Sequence, residues 1–357
     1  MQEIKKQLEN TFKNKKILVT GGTGFIGSEI VRRLLDYKPK VVRIFSNDED
    51  NTFRMMHEVD DSGTKMMHEI ADRRFLIGDI RDKERVLLAM EDIDIVYHAA
   101  ALKHVPLCEY NPFEAIKTNV LGTQNVIEAA LVSGVDKVIS ISTDKAVNPA
   151  NTMGATKLLA EKLIIDANEG KGTKETIFSS VRFGNVLFSR GSVIPLFEEQ
   201  IKKQIPITIT DPKMTRFMMS ISDTIDLVFK ATILAKGGEV FILKMPVVKL
   251  GDLVDVVIEK YAKKYSYKKE KIKKKIIGLR PGEKMYEELM TESEAAMAFE
   301  TKDMIIIPPQ LEMPSIQYEV SDYPGARHSK LAKYTSRSVK PLTKKKLKNF
   351  YLNKYVS

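Results

Sequence analysis

Residues 16–35 restrict this chain to a small set of folds. The apolar run Ile17–Thr20 ends in Gly21-Gly22-Thr23-Gly24-Phe25-Ile26-Gly27, and Glu29–Leu35 then places apolar residues at helical spacing. A strand, a glycine turn and a helix in this order open a unit whose next strand lies parallel to the first. The alternation continues, with Val41–Phe45, Arg74–Ile77, Ile93–His98, Lys137–Ser142 and Thr176–Arg182 reading as strands separated by helical patterns. The predicted fold class is α/β, a doubly wound parallel sheet, with a smaller C-terminal region interleaved with its last elements. After Phe183 the periodicity becomes irregular, with prolines at 195, 206, 212 and 246. We therefore divide the chain into a dinucleotide-binding region over 1–185, a substrate-binding region over 186–315 and a basic C-terminal extension over 316–357.

Glycines at 21, 24 and 27 suit a tight turn, close approach of backbone N–H groups to a pyrophosphate and close packing of helix on strand. The turn could serve packing alone. Its setting favours a bound dinucleotide, because Asp79-Ile80 follow the third strand and Ala99-Ala100-Ala101 the fourth, where a cofactor crosses the strand ends. Candidate cofactor residues are Gly21, Thr23, Gly24, Phe25, Ile26, Gly27, Ser46, Asn47, Asp48, Asp79, Ile80, Ala99, Ala100 and Ala101. Ser46 stands where a ribose-binding carboxylate is expected and Asp48 comes slightly late, which leans towards NADP with NAD also open. Arg54 could reach a 2′-phosphate or simply lie in solvent.

The fifth strand runs into ISISTDKAVNPANTMGATK, which is similar to the catalytic strand and helix of sugar-modifying dehydrogenases. Many such enzymes carry Tyr-x-x-x-Lys here, with the lysine one helical turn after a phenol that moves a proton. Met153 replaces the tyrosine and Lys157 is retained. Either the site is silent or the neighbouring Thr143, Asp144 and Lys145 do the chemistry. A buried carboxylic acid can protonate a leaving hydroxyl, and an amine whose pKa is lowered can accept a carbon-bound proton. The ordinary alternative for Asp144-Lys145 is a surface ion pair.

Composition narrows the partners. The net charge of +10 is concentrated in Tyr261–Lys275 and Lys340–Lys348, so it reads as solvated lysine rather than a nucleic-acid surface. The single cysteine, Cys108, excludes an internal disulfide framework and reads as a packing residue. No apolar run is long enough to span a bilayer, and the polar start lacks a secretory core, so we expect a cytoplasmic protein without membrane contact. No metal site is expected. His98, Met214, Met218 and Met219 read as core.

TGGTGFIG, HAAALKHVPLCEYNPFEAIKTN, STDKAVNP, VRFGNVLFSRGSVIPLF, TDPKMTRF and GLRPGEK occur in one order over Lys16–Pro309. Together they resemble the extended short-chain dehydrogenases that act as UDP-N-acetylglucosamine 4,6-dehydratases, including a branch with methionine in place of the tyrosine. The resemblance implies a lyase that oxidises C4, deprotonates C5, expels water from C6 and returns the hydride. By resemblance Asp144 is the acid, Lys145 the base at C5 and Lys157 the partner of the nicotinamide ribose; the resemblance leaves the acceptor of the 4-hydroxyl proton open, and Thr143 relaying it to Lys157 or to water is our own candidate. It also implies UDP-N-acetylglucosamine as substrate and a homo-oligomer as the assembly. Lys103, Arg182, Asn185, Arg190, Arg216, Arg280 and Glu283 fall in the shared motifs and are the substrate candidates, arginine being suited to bidentate phosphate contacts. Arg190 and Arg216 could instead pair with carboxylates such as Asp211. Two other readings stay open, a UDP-sugar 4-epimerase and a silent NADP-binding protein.

Overall fold

The computed structural model describes residues 2–58, 72–189, 191–310, 313 and 316–353. Six parallel strands form its centre: β1 (Lys16–Thr20), β2 (Val41–Ser46), β3 (Asp72–Ile77), β4 (Ile95–His98), β5 (Lys137–Thr143) and β6 (Ile177–Phe183). They lie in the order β3-β2-β1-β4-β5-β6. The chain thus reverses direction across the sheet between β1 and β4, and a crevice opens at their C-terminal ends. Helices cover both faces, which is why β4 is buried at every position and β1 at all but its first.

The predicted strands are present, with β4 beginning at Ile95 rather than Ile93, and the first crossover helix spans Phe25–Leu35 rather than starting at Glu29. Gly24 is the residue before that helix, so the glycine loop feeds its first turn directly.

The later chain is woven through the fold. β7 (Asn185–Val186) pairs in parallel with β9 (Thr215–Met219), while β8 (Ile207–Ile209) pairs with β12 (Lys274–Ile276). β10 (Val240–Leu243) returns to the main sheet beside β6, and β11 (Val247–Lys249) pairs with β9. β13 (Glu288–Met290) lies outside the main sheet, whereas β14 (Phe299–Glu300) and β15 (Met304–Ile307) extend it antiparallel. The region after 315 is not a free extension: β16 (Arg327–His328) pairs with β14, and β17 (Tyr334–Thr335) pairs with β13. A helix over Lys344–Asn353 places Leu347 and Tyr351 in the apolar cluster formed by the Val193–Lys202 and Leu250–Lys264 helices. Thus two cores lie against the sheet, one including Val19 and Ile139 and the other Leu18 and Val138, and a third lies among the Val193–Lys202, Leu250–Lys264 and Lys344–Asn353 helices. Among the described residues no helix is long and apolar enough to cross a membrane.

Candidate active site

Two cavities flank the segment that follows β4. Residues 99–102 line the first, of about 390 Å³, and Val105 and Pro106 line the second, of about 330 Å³. Both are large enough for part of a nucleotide-sized ligand.

The first cavity lies at the crevice between β1 and β4 and is lined by Gly21, Thr23, Gly24, Ser46, Asn47, Asp48, Asp79, Ile80, Ala99, Ala100 and Ala101. Gly21 has φ +63°, and a Cβ there would stand 2.7 Å from the Ala100 nitrogen. Only glycine lets the loop and the β4 end approach this closely, leaving a cradle of small residues before the helix N-terminus. These features fit a dinucleotide pyrophosphate. The Ser46 hydroxyl shares a 2.7 Å hydrogen bond with Thr23, and the Asp48 carboxylate caps the following helix by accepting from the Asn51 N–H. Arg81 is the cation on this cavity. It donates to Asp79 at 2.7 Å and to Glu114 at 2.8 Å, and with Asn47 it holds the Asp79 carboxyl below its ordinary range.

β5 delivers the candidate catalytic turn. Thr143 ends the strand, and Asp144–Ala146 form a single tight turn behind it. The Thr143 hydroxyl donates to Asp144 Oδ1 at 2.8 Å, and Lys145 Nζ donates to both Asp144 oxygens at 3.0 and 3.2 Å. Asp144 is 3% exposed and, with Lys145, lines the second cavity. Burial by itself would lower the Lys145 pKa, but the Asp144 and Glu287 carboxylates outweigh it and raise the ammonium above the ordinary lysine range. The amine is therefore stored as an ammonium, contrary to the expectation of a lowered pKa, and needs to pass its proton on before it can act as a base.

Glu287 was not singled out from the sequence. Its buried carboxylate accepts from Asn185 Nδ2 at 2.7 Å and from the Phe217 N–H at 2.9 Å, and stands 3.3 Å from Arg216 Nε and 4.0 Å from Lys145 Nζ. Burial, then repulsion from Asp144, pushes its pKa up to about 7 against the pull of Lys145 and Arg216. Asn119 was also missed. From a π turn over Lys117–Leu121 it accepts from the Leu102 N–H and donates to the Leu102 carbonyl and the Thr156 hydroxyl, tying the segment between the cavities to the Thr152–Gly170 helix.

A family model described as polysaccharide biosynthesis protein matches residues 17–309. The chain belongs to this family. It is 54% identical over 96% of both chains to a protein of Methanocaldococcus jannaschii described as an uncharacterized membrane protein. It is 42% identical to an inverting UDP-N-acetylglucosamine 4,6-dehydratase of Campylobacter jejuni, over 85% of each chain. A UDP-glucose 4-epimerase of Rickettsia bellii is 40% identical over 96% of each. Among solved structures, Pen from Bacillus thuringiensis superposes with a TM-score of 0.87 at 50% identity, covering 96% of this chain and 98% of that one. The fold is the Rossmann type of the extended short-chain dehydrogenases.

Within this family member, several expected site residues sit elsewhere. Arg182 is 2% exposed and does not face the second cavity. Its guanidinium is consumed by Glu161 at 2.6 Å, Glu294 at 3.0 Å and the Leu289 carbonyl at 2.8 Å, so it is a buried structural cation rather than a phosphate ligand. Phe25 and Ile26 pack on the main core, and Gly27 abuts the Gly21 carbonyl; none of the three lines the cofactor cavity. Thr143 bonds to Asp144 rather than relaying to Lys157. Lys157 is buried, donates to the Ile141 carbonyl at 2.7 Å, and is lowered by burial to about 8. Met153 is buried against Cys108, Ala115 and Val105 and lines neither cavity. His98 is buried between the Thr20 and Thr123 hydroxyls, with its pKa driven down to about 3 by burial.

On the substrate side, Asn185, Arg216, Arg280 and Glu283 all line the second cavity. Arg216 pairs with Glu287 and Glu283, not Asp211, whose carboxylate accepts from the Lys213 N–H. Glu283 also accepts from the Arg280 N–H at 3.2 Å, closing the Arg280–Glu283 turn. Asn151 latches that turn to the reactive strand's loop by donating to the Gly282 carbonyl at 3.1 Å. Lys103 is exposed on the segment between the cavities, and Arg190 lies outside the described residues.

Proposed function

We propose that this chain is an NAD(P)-dependent nucleotide-sugar 4,6-dehydratase acting on UDP-N-acetylglucosamine to make the UDP-4-keto-6-deoxy-N-acetylhexosamine. The observation that carries this reading is the Asp144–Lys145 pair on the wall of the second cavity, with Met153 withdrawn into packing. Among the described residues no tyrosine lines either cavity, which supports a proton carrier other than a phenol. The C. jejuni dehydratase supports the substrate class, and glycan biosynthesis is the setting supported by the family description.

When bound, a nicotinamide dinucleotide would supply the hydride acceptor for C4 and the hydride donor for C6. Gly21, Gly24 and the Ala99–Ala101 backbone would hold its pyrophosphate, and Ser46 and Arg81 favour NADP over NAD. Arg280, Arg216 and Lys103 supply cations for the diphosphate and the sugar side. The 3.0 Å hydrogen bond between Lys145 and Asp144 lets one proton move from ammonium to carboxylate. That single transfer yields an amine able to take the C5 proton and a carboxylic acid able to protonate the departing 6-hydroxyl; the ammonium so formed returns a solvent-exchanged proton to C5 as hydride reaches C6, and the 4-hydroxyl proton, released to water at the first step, restores the ammonium. Thr143 holds the Asp144 oxygen that would receive the proton.

The test is turnover of UDP-N-acetylglucosamine by Asp144→Asn and Lys145→Ala, each assayed separately by product mass. Loss of at least about 100-fold in kcat is expected for both, and unchanged turnover in either removes that residue from the mechanism. A 4-epimerase is the second reading, supported by the R. bellii relative's name, and would give a product of unchanged mass. A homo-oligomer is the proposed assembly. Exposed Leu107, Tyr110, Phe113, Leu121 and Leu159 support association, which sedimentation equilibrium measures.

A further inference from the structure

Lys145 is held from two sides, and the second side reaches far along the chain. Asp144 belongs to the same turn, whereas Glu287 comes from the segment before β13. The Glu287 backbone is itself clamped. Its N–H donates to Ser336 Oγ at 2.9 Å, and its carbonyl accepts from the Ser336 N–H at 2.8 Å. Ser336 is fully buried, follows β17 directly, and donates its hydroxyl to the Thr215 carbonyl at 3.1 Å. From this fixed backbone the Glu287 carboxylate reaches β7 through Asn185, β9 through the Phe217 N–H, and the cavity through Arg216 and Lys145. A carboxylate so heavily engaged is costly to bury unless its partners need it there.

We infer that Glu287 is a positioning residue for Lys145, and that the C-terminal segment, through Ser336, sets where the Glu287 carboxylate stands. Glu287 keeps the Lys145 side chain drawn across the cavity wall while holding Asn185 and Arg216 in the same arrangement. This rests on the reading of Lys145 as a proton-transfer group. It also gives the region after 315 a part in the site, beyond the stretch that the family model matches. The charged groups acting on Lys145 are Asp144 from its own turn, Glu287 from the β13 approach and Arg216 from β9. Removing the Glu287 charge leaves Arg216 opposing the ammonium with only Asp144 to balance it, so the ammonium gives up its proton at lower pH.

The experiment uses the full chain labelled with carbon-13 at lysine Cε. The Lys145 resonance is assigned by its loss in Lys145→Arg and followed by NMR through the alkaline range in wild type, Glu287→Gln, Glu287→Asp and Ser336→Ala. Glutamine preserves size and an acceptor for the Phe217 N–H. The Lys145 midpoint is expected to fall by about one pH unit or more in Glu287→Gln, to fall less in Ser336→Ala, and to recover towards wild type in Glu287→Asp. The alkaline fall of kcat, where the ammonium no longer has a proton to pass to Asp144, should move with it in each variant. An unchanged Lys145 midpoint in Glu287→Gln overturns the inference, whether or not the chain turns over UDP-N-acetylglucosamine. A lowered midpoint in Glu287→Gln, together with a wild-type chain that shows no dehydratase turnover, supports it and overturns the dehydratase reading instead. Should the glutamine variant fail to fold, Ser336→Ala decides: a lowered midpoint supports the inference and an unchanged one overturns it.

Discussion

Gly154 lies directly against Lys145: a Cβ on Gly154 would stand 2.2 Å from the Lys145 carbonyl oxygen. The helix that carries Met153 and Lys157 is thereby pressed onto the reactive turn, with Asn151 capping it through a 2.8 Å bond from the Gly154 N–H. Gly154→Ala must push the turn and the helix apart. Overpacking of this kind costs about 1–3 kcal/mol, and a displaced Asp144–Lys145 pair should lower kcat by about tenfold or more. Urea denaturation and turnover of the same preparation measure both.

Arg182 yields a stability prediction. Its guanidinium neutralises Glu161 and Glu294 in the interior, and the Ser142 hydroxyl also donates to Glu161. Arg182→Met leaves two buried carboxylates facing each other, for a loss of about 3–5 kcal/mol in urea denaturation. The folded fraction should bind UDP within about twofold of wild type, because the arginine does not line the cavity.

Met153 should be replaceable by another apolar residue. It packs against Cys108 and Ala115 without lining either cavity. Met153→Leu should change stability by less than about 1.5 kcal/mol and leave turnover close to wild type. Loss of turnover in a stably folded Met153→Leu would show that the thioether has a chemical role.

Glu287 predicts the sign of a pH effect. Its folded pKa of about 7 lies above the ordinary 4.5, so between these values the native state binds more protons than the unfolded state. Stability contributed by this group is full below about pH 4.5 and declines as pH rises to about 7, by roughly 3 kcal/mol in all. Denaturation of wild type and Glu287→Gln across this range should show the decline in wild type and a flatter profile in the variant.

Arg81 tests the cofactor preference. Among the described residues it is the cation lining the first cavity, and the proposed NADP preference has it facing a 2′-phosphate, although Asp79 and Glu114 share its charge. Arg81→Ala should weaken NADPH binding by about tenfold and NADH binding much less. Equal losses for both cofactors, measured by fluorescence titration, would contradict the preference for NADP.

The parts of this molecule that repeat locally were readable from the residues. The parallel strands and glycine turn announce themselves through period and turn chemistry, and Asp144-Lys145 sit where a β5 end must open onto the crevice. Arg182 misled because its motif neighbours do line the cavity. Its place in a strand buried on both faces was a sign that the side chain points into packing rather than into a ligand site. Glu287 carries no local mark that separates it from Glu288, since its meaning comes from Asn185, Phe217 and Ser336, all distant in sequence. The tail was opaque because β16 and β17 are two residues each, too short to show a period, within a lysine-rich stretch.

The central claim is that this chain removes water from a UDP-sugar by way of proton exchange at C5. The most direct measurement is mass spectrometry of the product formed from UDP-N-acetylglucosamine by wild-type protein with catalytic NADP in heavy water, after return to ordinary water. The account predicts a product lighter by one water and carrying one deuterium, with no net reduction of cofactor. A product of unchanged mass, or recovered substrate alone, would contradict it.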